Sequence, residues 1–336
     1  MANIYDVARA AGVSIATVSR VLNGSDHVSD TLHARVIQAA GRLGYRPNRL
    51  ARALAEGRVH ALGLMLPSDI SHPFYSQLAE HVAQCAIEQG YEVIVGLPAR
   101  PDVESYLRAT SDLQDRRVLG TLLCAGADTV RACAAARTAD TAPMVAVGCL
   151  PGVDIPLVTS DEEAAGYQAT RHLLGLGHES IGFLGVQAAY IRSRGREAGY
   201  ARAMAEAGQE GILQDAARDM PGGYEGVRRL LDTAPHVTAI VAHNDAVALG
   251  ALRGLHELGR RVPQDVSLVG FDNIRQGEYC IPALTTMDLA AQAIACEAVR
   301  VLVELVGGAE VSPEPATMLI PPELVVRESS ASRPRT

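Results

Sequence analysis

Asn3-Ile4-Tyr5-Asp6-Val7-Ala8-Arg9-Ala10-Ala11-Gly12-Val13-Ser14-Ile15-Ala16-Thr17-Val18-Ser19-Arg20-Val21-Leu22-Asn23-Gly24 holds two helix-sized segments divided by one glycine. Asn3 suits an N-cap, and Asp6 three residues on places a carboxylate at the positive helix end. Ile4, Val7, Ala8 and Ala11 then recur at helical spacing, and Gly12 supplies the left-handed residue of a tight turn. Ser14 reads as the cap of a second helix that turns Val18, Val21 and Leu22 inward and ends at Asn23-Gly24. Ser29 or Asp30 starts a third helix, with Val36, Ile37, Ala40 and Leu43 apolar and Gly44 closing it. Three short helices with a tight first turn make a helix-turn-helix. In that unit the second helix enters the major groove, so Ile15, Ala16, Thr17, Ser19 and Arg20 would meet base edges. Arg20 can grip guanine O6 and N7, and Ile15 and Ala16 can meet thymine methyls. The same pattern also fits a small three-helix bundle that binds protein or nothing.

Charge sharpens the choice. The 336 residues carry a net charge of −8, yet residues 1–60 hold 8 Arg against 4 acidic residues. A basic head on an acidic body points to nucleic acid at one end only. Residues 45–58, with Pro47, Gly57 and four arginines, are too short for a stable isolated helix. They would order against phosphates, with Leu50 and Leu54 on one face, or remain a flexible basic tether.

Composition excludes other classes. With 48% hydrophobic and 20% charged residues the chain is neither disordered nor fibrous. No apolar run approaches a spanning helix, and Met1–Asp6 lacks a signal-peptide layout, which predicts a chain kept in the cytosol. All basic residues are arginine, which we read as genomic composition. Six cysteines (Cys85, Cys124, Cys133, Cys149, Cys280, Cys296) form no C-x-x-C pair. Zinc sites and redox dithiols are therefore disfavoured and six buried free thiols expected. No metal or cofactor is expected.

Asp6-Val7-Ala8, Gly12-Val13-Ser14, Thr17-Val18-Ser19-Arg20-Val21-Leu22-Asn23 and Gly44-Tyr45-Arg46-Pro47-Asn48 closely resemble the head of LacI/GalR-family transcription regulators, without gaps from residue 3 to 58. The resemblance implies a DNA-binding set of Ser14, Ile15, Ala16, Thr17, Ser19, Arg20, Asn23, Asn48, Arg49, Ala51, Arg52 and Leu54. Ile15, Ala16 and Arg20 fall at operator-discriminating positions. Leu54 matches the hinge-helix leucine that wedges into the minor groove and bends the DNA.

In residues 61–336, apolar runs at Ala61–Leu66, Tyr91–Leu97, Leu119–Cys124, Met144–Gly148, Ser180–Gly185, Thr238–Ala242 and Val266–Gly270 read as strands. They alternate with amphipathic stretches near 74–89, 103–116, 162–176, 196–208, 223–233 and 244–258. That rhythm means parallel sheets covered by helices on both faces, and the length suggests two such units. Leu289–Val306 reads as a further helix, followed by a strand pair around 317–327. Landmarks from Asp69 and Pro73-Phe74-Tyr75 through Gly270-Phe271-Asp272 to Glu323–Ser329 look like the family's effector-binding core, whose fold is that of periplasmic sugar-binding proteins.

The fold class expected is therefore α/β: a helix-turn-helix head with hinge helix, then a periplasmic-binding-protein-like core of two doubly wound parallel-sheet subdomains. The expected domains are 1–45 (helix-turn-helix), 46–60 (hinge), 61–160 plus 288–322 (N-subdomain) and 161–287 plus 323–330 (C-subdomain). A ligand would bind between the subdomains at the strands' carboxyl ends. The candidate residues are Asp69, Phe74, Tyr75, Asp161, Tyr190, Arg192, Arg196, Tyr224, Asn244, Asp245 and Asp272. Asp272 can accept paired hydroxyls, and Arg196 can donate two parallel bonds. Phe74 and Tyr75 would either stack on a sugar ring or pack. Glu162 stands where the family usually has Asn. Arg192, Arg194 and Arg196 would serve an anionic ligand or form a solvated loop.

No G-x-S-x-G, G-x-x-x-x-G-K-[ST] or H-E-x-x-H motif is present, so an enzyme is not expected. His172 and His178 read as structural. The function expected is a dimeric repressor of carbohydrate-utilisation genes, released from a pseudo-palindromic operator by a sugar, sugar acid or sugar phosphate. The resemblance implies a dimer formed by helix 74–89 and the 250–285 region. The alternatives are a co-repressor-dependent regulator and a small-ligand-binding protein with a vestigial head.

Overall fold

The computed structural model describes residues 2–22, 29–45, 60–68, 70, 72–138, 141–148, 152–185, 191–309 and 316–333; the side chains of Ser19 and of residues 191–194 fall outside that description. The chain divides into two compact units, Met1–Val59 and His60–Thr336.

The first unit contains α1 (Ile4–Ala11), α2 (Ile15–Leu22) and α3 (Asp30–Leu43). Asn3 and Asp6 form a reciprocal capping box, and Gly12 ends α1 in the left-handed region at φ 63°. Val7, Val18 and Val36 from the three helices are fully buried together. Ile37 and Leu43, apolar by sequence, are exposed: three short helices enclose too little volume for both.

The second unit carries two six-stranded sheets. The first has the order β11 (Thr317–Ile320), β5 (Leu157–Ser160), β4 (Met144–Val147), β3 (Thr121–Leu123), β1 (Ala61–Met65), β2 (Glu92–Gly96), all parallel. The second has the order β12 (Glu323–Val325), β10 (Thr285–Asp288), β9 (Ser267–Phe271), β8 (Ala239–Ala242), β6 (Ile181–Gly185), β7 (Ile212–Asp215). Only β12 is antiparallel to its neighbour. Inner strands such as β1, β6 and β8 are buried at every residue, as continuous apolar runs require when helices cover both faces.

The first sheet is covered by α4 (Pro73–Glu88) and α12 (Ala291–Val306) on one face and by α5 (Val103–Asp115) and α6 (Ala127–Ala135) on the other. The second is covered by α7 (Glu162–Gly175) and α8 (Ile191–Glu206) on one face. On its other face lie α9 (Met220–Thr233) and α10 (Asp245–Glu257). A short α11 (Arg275–Tyr279) follows β9.

The strand pair expected around 317–327 does not form. β11 joins the first sheet beside β5, and β12 joins the second beside β10. Pro321-Pro322 separates them and lacks the N–H groups a continued ladder needs. The chain also passes between sheets after β5 and after β10.

The cysteine expectation fails at one pair: Cys85 of α4 and Cys296 of α12 are disulfide-bonded. Cys124 and Cys133 are free and buried, Cys280 is free and half-buried, and Cys149 lies outside the described residues. His172 and His178 are structural. His178 hydrogen-bonds Thr238, Ser267 and the Ala331 carbonyl, and His172 hydrogen-bonds Ser330. Among the described residues no helix is long and apolar enough to cross a membrane.

Candidate functional site

The head presents its second helix. The Ser14 hydroxyl accepts from Thr17 N–H at 3.1 Å and pairs with the Thr17 hydroxyl at 2.9 Å, which fixes where α2 begins. Val18 and Val21 are held in the core, so the opposite side of α2 turns Ile15 (40% exposed), Ala16 and Arg20 outward. Asn23, Asn48, Arg49, Ala51, Arg52 and Leu54 lie outside the described residues, as does the Ser19 side chain.

In the core, polar side chains gather just beyond the carboxyl ends of strands from both sheets. Helices α7 and α8 approach backbone to backbone: a Cβ at Gly166 would lie 2.0 Å from the Arg196 carbonyl oxygen. That closeness brings Arg196 of α8 onto Glu162, the first residue of α7. The Arg196 guanidinium donates through Nε to Glu162 Oε2 (2.6 Å), through Nη1 to the His243 carbonyl, and through Nη2 to Asp272 Oδ1 (3.3 Å). It also lies over the Phe271 ring, 4.8 Å from the centroid. Arg196 and Glu162 are 3% and 4% exposed.

Asp272 directly follows β9 with φ 96°, and Asn273 comes next at φ 48°. Two successive non-glycine residues in the left-handed region are unusual, and such strain persists only where surroundings enforce it. Here Asp245 enforces it from beneath. Asp245 is fully buried, accepts from Ile274 N–H (2.9 Å) and from the Thr286 hydroxyl (2.7 Å), and would collide with any side chain at Gly270. Burial, and then the Asp272 charge, push its carboxyl well above the usual range. Arg327 and Asp288 hold the Asn273 side chain at 2.8 and 2.9 Å. The second oxygen of Asp272 faces His72, with Oδ2 3.7 Å from Nε2. His72 precedes α4 and caps it by accepting the Phe74 N–H on Nδ1 (3.3 Å). Asp272 thus touches a helix on its own sheet and a residue of the other sheet.

The remaining candidates separate into roles. Tyr75 is half-buried beside this group, edge-on to the His72 ring at 5.8 Å. Phe74 is 3% exposed and packs in the core, the packing alternative of the two. Asp161 caps α7 through Ala164 N–H (2.9 Å). Asn244 caps α10 through Val247 N–H (2.8 Å) and donates to the Arg218 carbonyl (3.0 Å), so its amide serves the fold. Tyr224 does not join the cluster: its hydroxyl donates to Glu257 at the far end of α10 (2.6 Å). Asp69 and Tyr190 lie outside the described residues, as does the Arg192 side chain.

Sequence reading missed His72, Tyr106 and Arg218. Tyr106 of α5 is 6% exposed, and burial pushes its phenol well above the tyrosine range, with Cys124, Tyr75 and Arg218 near enough to act on it electrostatically. Each residue follows a strand or lies on a covering helix, but none belongs to a motif.

Residues 3–48 match the family described as bacterial regulatory proteins, lacI family, and residues 170–330 match a periplasmic binding protein-like domain. The chain is 32% identical over 335 residues to the HTH-type transcriptional regulator DegA of Bacillus subtilis, covering 98% of each. It is likewise 32% identical to the ribose operon repressor of Halalkalibacterium halodurans, covering 98% of this chain and 97% of that one. The chain belongs to the lacI family. Among solved structures, the lac repressor dimer bound to operator and the anti-inducer ONPF superposes with a TM-score of 0.86 at 28% identity, covering 98% and 99% of the two chains. A complex of the transcriptional regulator CelR with cellobiose superposes at 0.70 with 29% identity, covering 98% and 100%. This lacI-family protein is thus a transcription regulator with a helix-turn-helix head and a periplasmic-binding-protein-like core.

Proposed function

We propose that this regulator is a homodimeric repressor whose core binds a small polyhydroxylated effector without catalysis and whose head reads a pseudo-palindromic operator. The observation that carries the effector part is Asp272, whose two oxygens face Arg196 of its own sheet and His72 of the other. A ligand seated there exchanges contacts with both sheets at once. It therefore has different affinities for different arrangements of the two halves, the only way an effector can shift DNA affinity. The lac repressor and CelR structures, described with small ligands, support the reading.

In the head, Ser14, Ile15, Ala16, Thr17, Ser19 and Arg20 would contact the major groove, while Leu54 and its neighbours would enter the minor groove. The domain limits given above remain part of the proposal, as does a cytoplasmic location. For the dimer, the large apolar residues Ile87 on α4, Tyr279 at the end of α11 and Ile281 just after it are 68%, 73% and 95% exposed. They lie in the two regions that the family resemblance implies for the interface.

The test is fluorescence anisotropy at fixed salt, with DNA from upstream of the protein's own gene and a panel of sugars. Salt-sensitive binding released by one sugar is the expected result. Tightening by the ligand would mean a co-repressor, and no specific binding would overturn the repressor reading.

A further inference from the structure

Taking the cleft as the effector site, we propose that Glu162 sets the charge of the effector, so that the site accepts an uncharged polyhydroxylated ligand and rejects its acid or phosphate. The first observation is the cluster's charge. Arg196 is the guanidinium that reaches Asp272, and it is engaged by two carboxylates, Glu162 at 2.6 Å and Asp272 at 3.3 Å, while Arg327 on the other side of the turn is taken up by the Asn273 side chain, which Asp288 also holds. One cation against two anions leaves the group net negative, and all three side chains are at least nine-tenths buried. An incoming carboxylate or phosphate would stand beside Asp272 and find Arg196 already paired. Like charges brought together in a water-poor site are strongly disfavoured.

Glu162 Oε1 is buried and has no hydrogen-bond partner among the described residues, while Oε2 of the same carboxylate holds Arg196. A buried carboxylate oxygen without a donor is costly and uncommon. A ligand hydroxyl supplies that donor, and a ligand carboxylate cannot. Glu162 lies on the first turn of α7, right after β5 of the first sheet, and Arg196 and Asp272 lie on the second sheet's side. The acceptor pair therefore stands where the chain passes from one sheet to the other. Among the described cations, Arg327, which holds Asn273 of the turn, and Arg218, whose charge reaches Tyr106, are the rival anchors for an anion.

The experiment uses the full chain and matched probes: D-glucose, D-galactose, D-ribose and cellobiose against D-glucuronate, D-galacturonate, ribose 5-phosphate and glucose 6-phosphate. Binding is read by calorimetry and by thermal shift. The wild type should bind a neutral member at least about 100-fold tighter than its charged counterpart, the scale that like-charge juxtaposition supports. Glu162→Gln removes the charge, and the preference should narrow by about tenfold or more. Glu162→Asp keeps the charge and should keep the preference, which guards against a variant that merely fails to fold. Wild-type binding of an acid or phosphate at least as tight as its neutral counterpart would overturn the proposal and move the anchor to Arg327 or Arg218. An unchanged preference in a folded Glu162→Gln protein would overturn it too. If no probe binds the wild type at millimolar concentration, the effector reading beneath it falls as well.

Discussion

Asp272→Asn separates the effector site from the fold more cleanly than any truncation. Asparagine keeps the shape and tolerates the left-handed backbone at φ 96°, so only the charge is removed. The Nη2–Oδ1 distance of 3.3 Å is long for an N–H···O bond, and Arg196 retains Glu162 and the His243 carbonyl. The fold should therefore lose only about 1 kcal/mol, or about 2–4 °C in Tm. The contact to His72 at 3.7 Å is weaker still, so operator affinity without effector should stay within about fivefold. The ligand fares differently. Two hydroxyls turned toward Asp272 would each lose about 1–1.5 kcal/mol when a charged acceptor becomes an amide. Together that is about 30- to 150-fold in effector affinity. Anisotropy of operator DNA titrated with effector should show the release curve displaced by that factor, from the same starting plateau. A mutant released at wild-type effector concentrations would refute the assignment. A mutant that no longer binds operator would refute the separation of site from fold.

Three further outcomes are expected. Arg20→Ala, at an exposed position of α2, should cost about 1–3 kcal/mol of operator binding and relax preference at one base pair per half-site; an unchanged preference in a randomised-site selection would exclude it from base contact. Gly250→Ala should destabilise by about 1–3 kcal/mol, because its Cβ would lie 1.9 Å from the Met220 carbonyl oxygen. Gly175→Ala, with open space around it, should be neutral or stabilising, and equal Tm changes for the two would contradict the packing argument. Burial holds the His178 and His172 imidazoles below the ordinary value of 6.5. Between that value and the lower folded ones the unfolded chain binds more protons, so their stabilisation is complete above pH 6.5 and is lost as pH falls. Urea midpoints from pH 8 to pH 5 should drop below pH 6.5, and His178→Gln should flatten the slope; a rise toward acid would show the sign to be wrong.

Part of the architecture was readable because local chemistry suffices for it. Asn3, Asp6, Gly12, Ser14 and Gly44 act within one turn of their own positions, so the caps of the head follow from a single chain segment. The inner strands β1, β6 and β8 are apolar at nearly every position, which marks them before any partner is known. β5, β7 and β10 escaped because they are short and carry polar residues. β7 is an edge strand with alternating exposure, while β10 buries Thr285 and Thr286, whose hydroxyls bond Ser330 and Asp245. A run of three or four residues that mixes apolar with polar side chains without alternating reads as loop until the partners are known.

The site divides in the same way. Asp272 and Arg196 could be named from the sequence because a strand end and a family landmark mark them. That Asn244 and Asp161 cap helices, that Tyr224 turns to Glu257, and that Asp245 lies under the turn could be known only once the helices were packed. His72 meets Asp272 from 200 positions away in the chain, and Cys85 meets Cys296 across 211. Sequence by itself determined most of the elements, the head and the family, since those depend on residues close along the chain. Tertiary structure decided which charged groups face one another, because ion pairing depends on distance in space, and two sheets joined by three crossings bring together residues that no spacing rule connects.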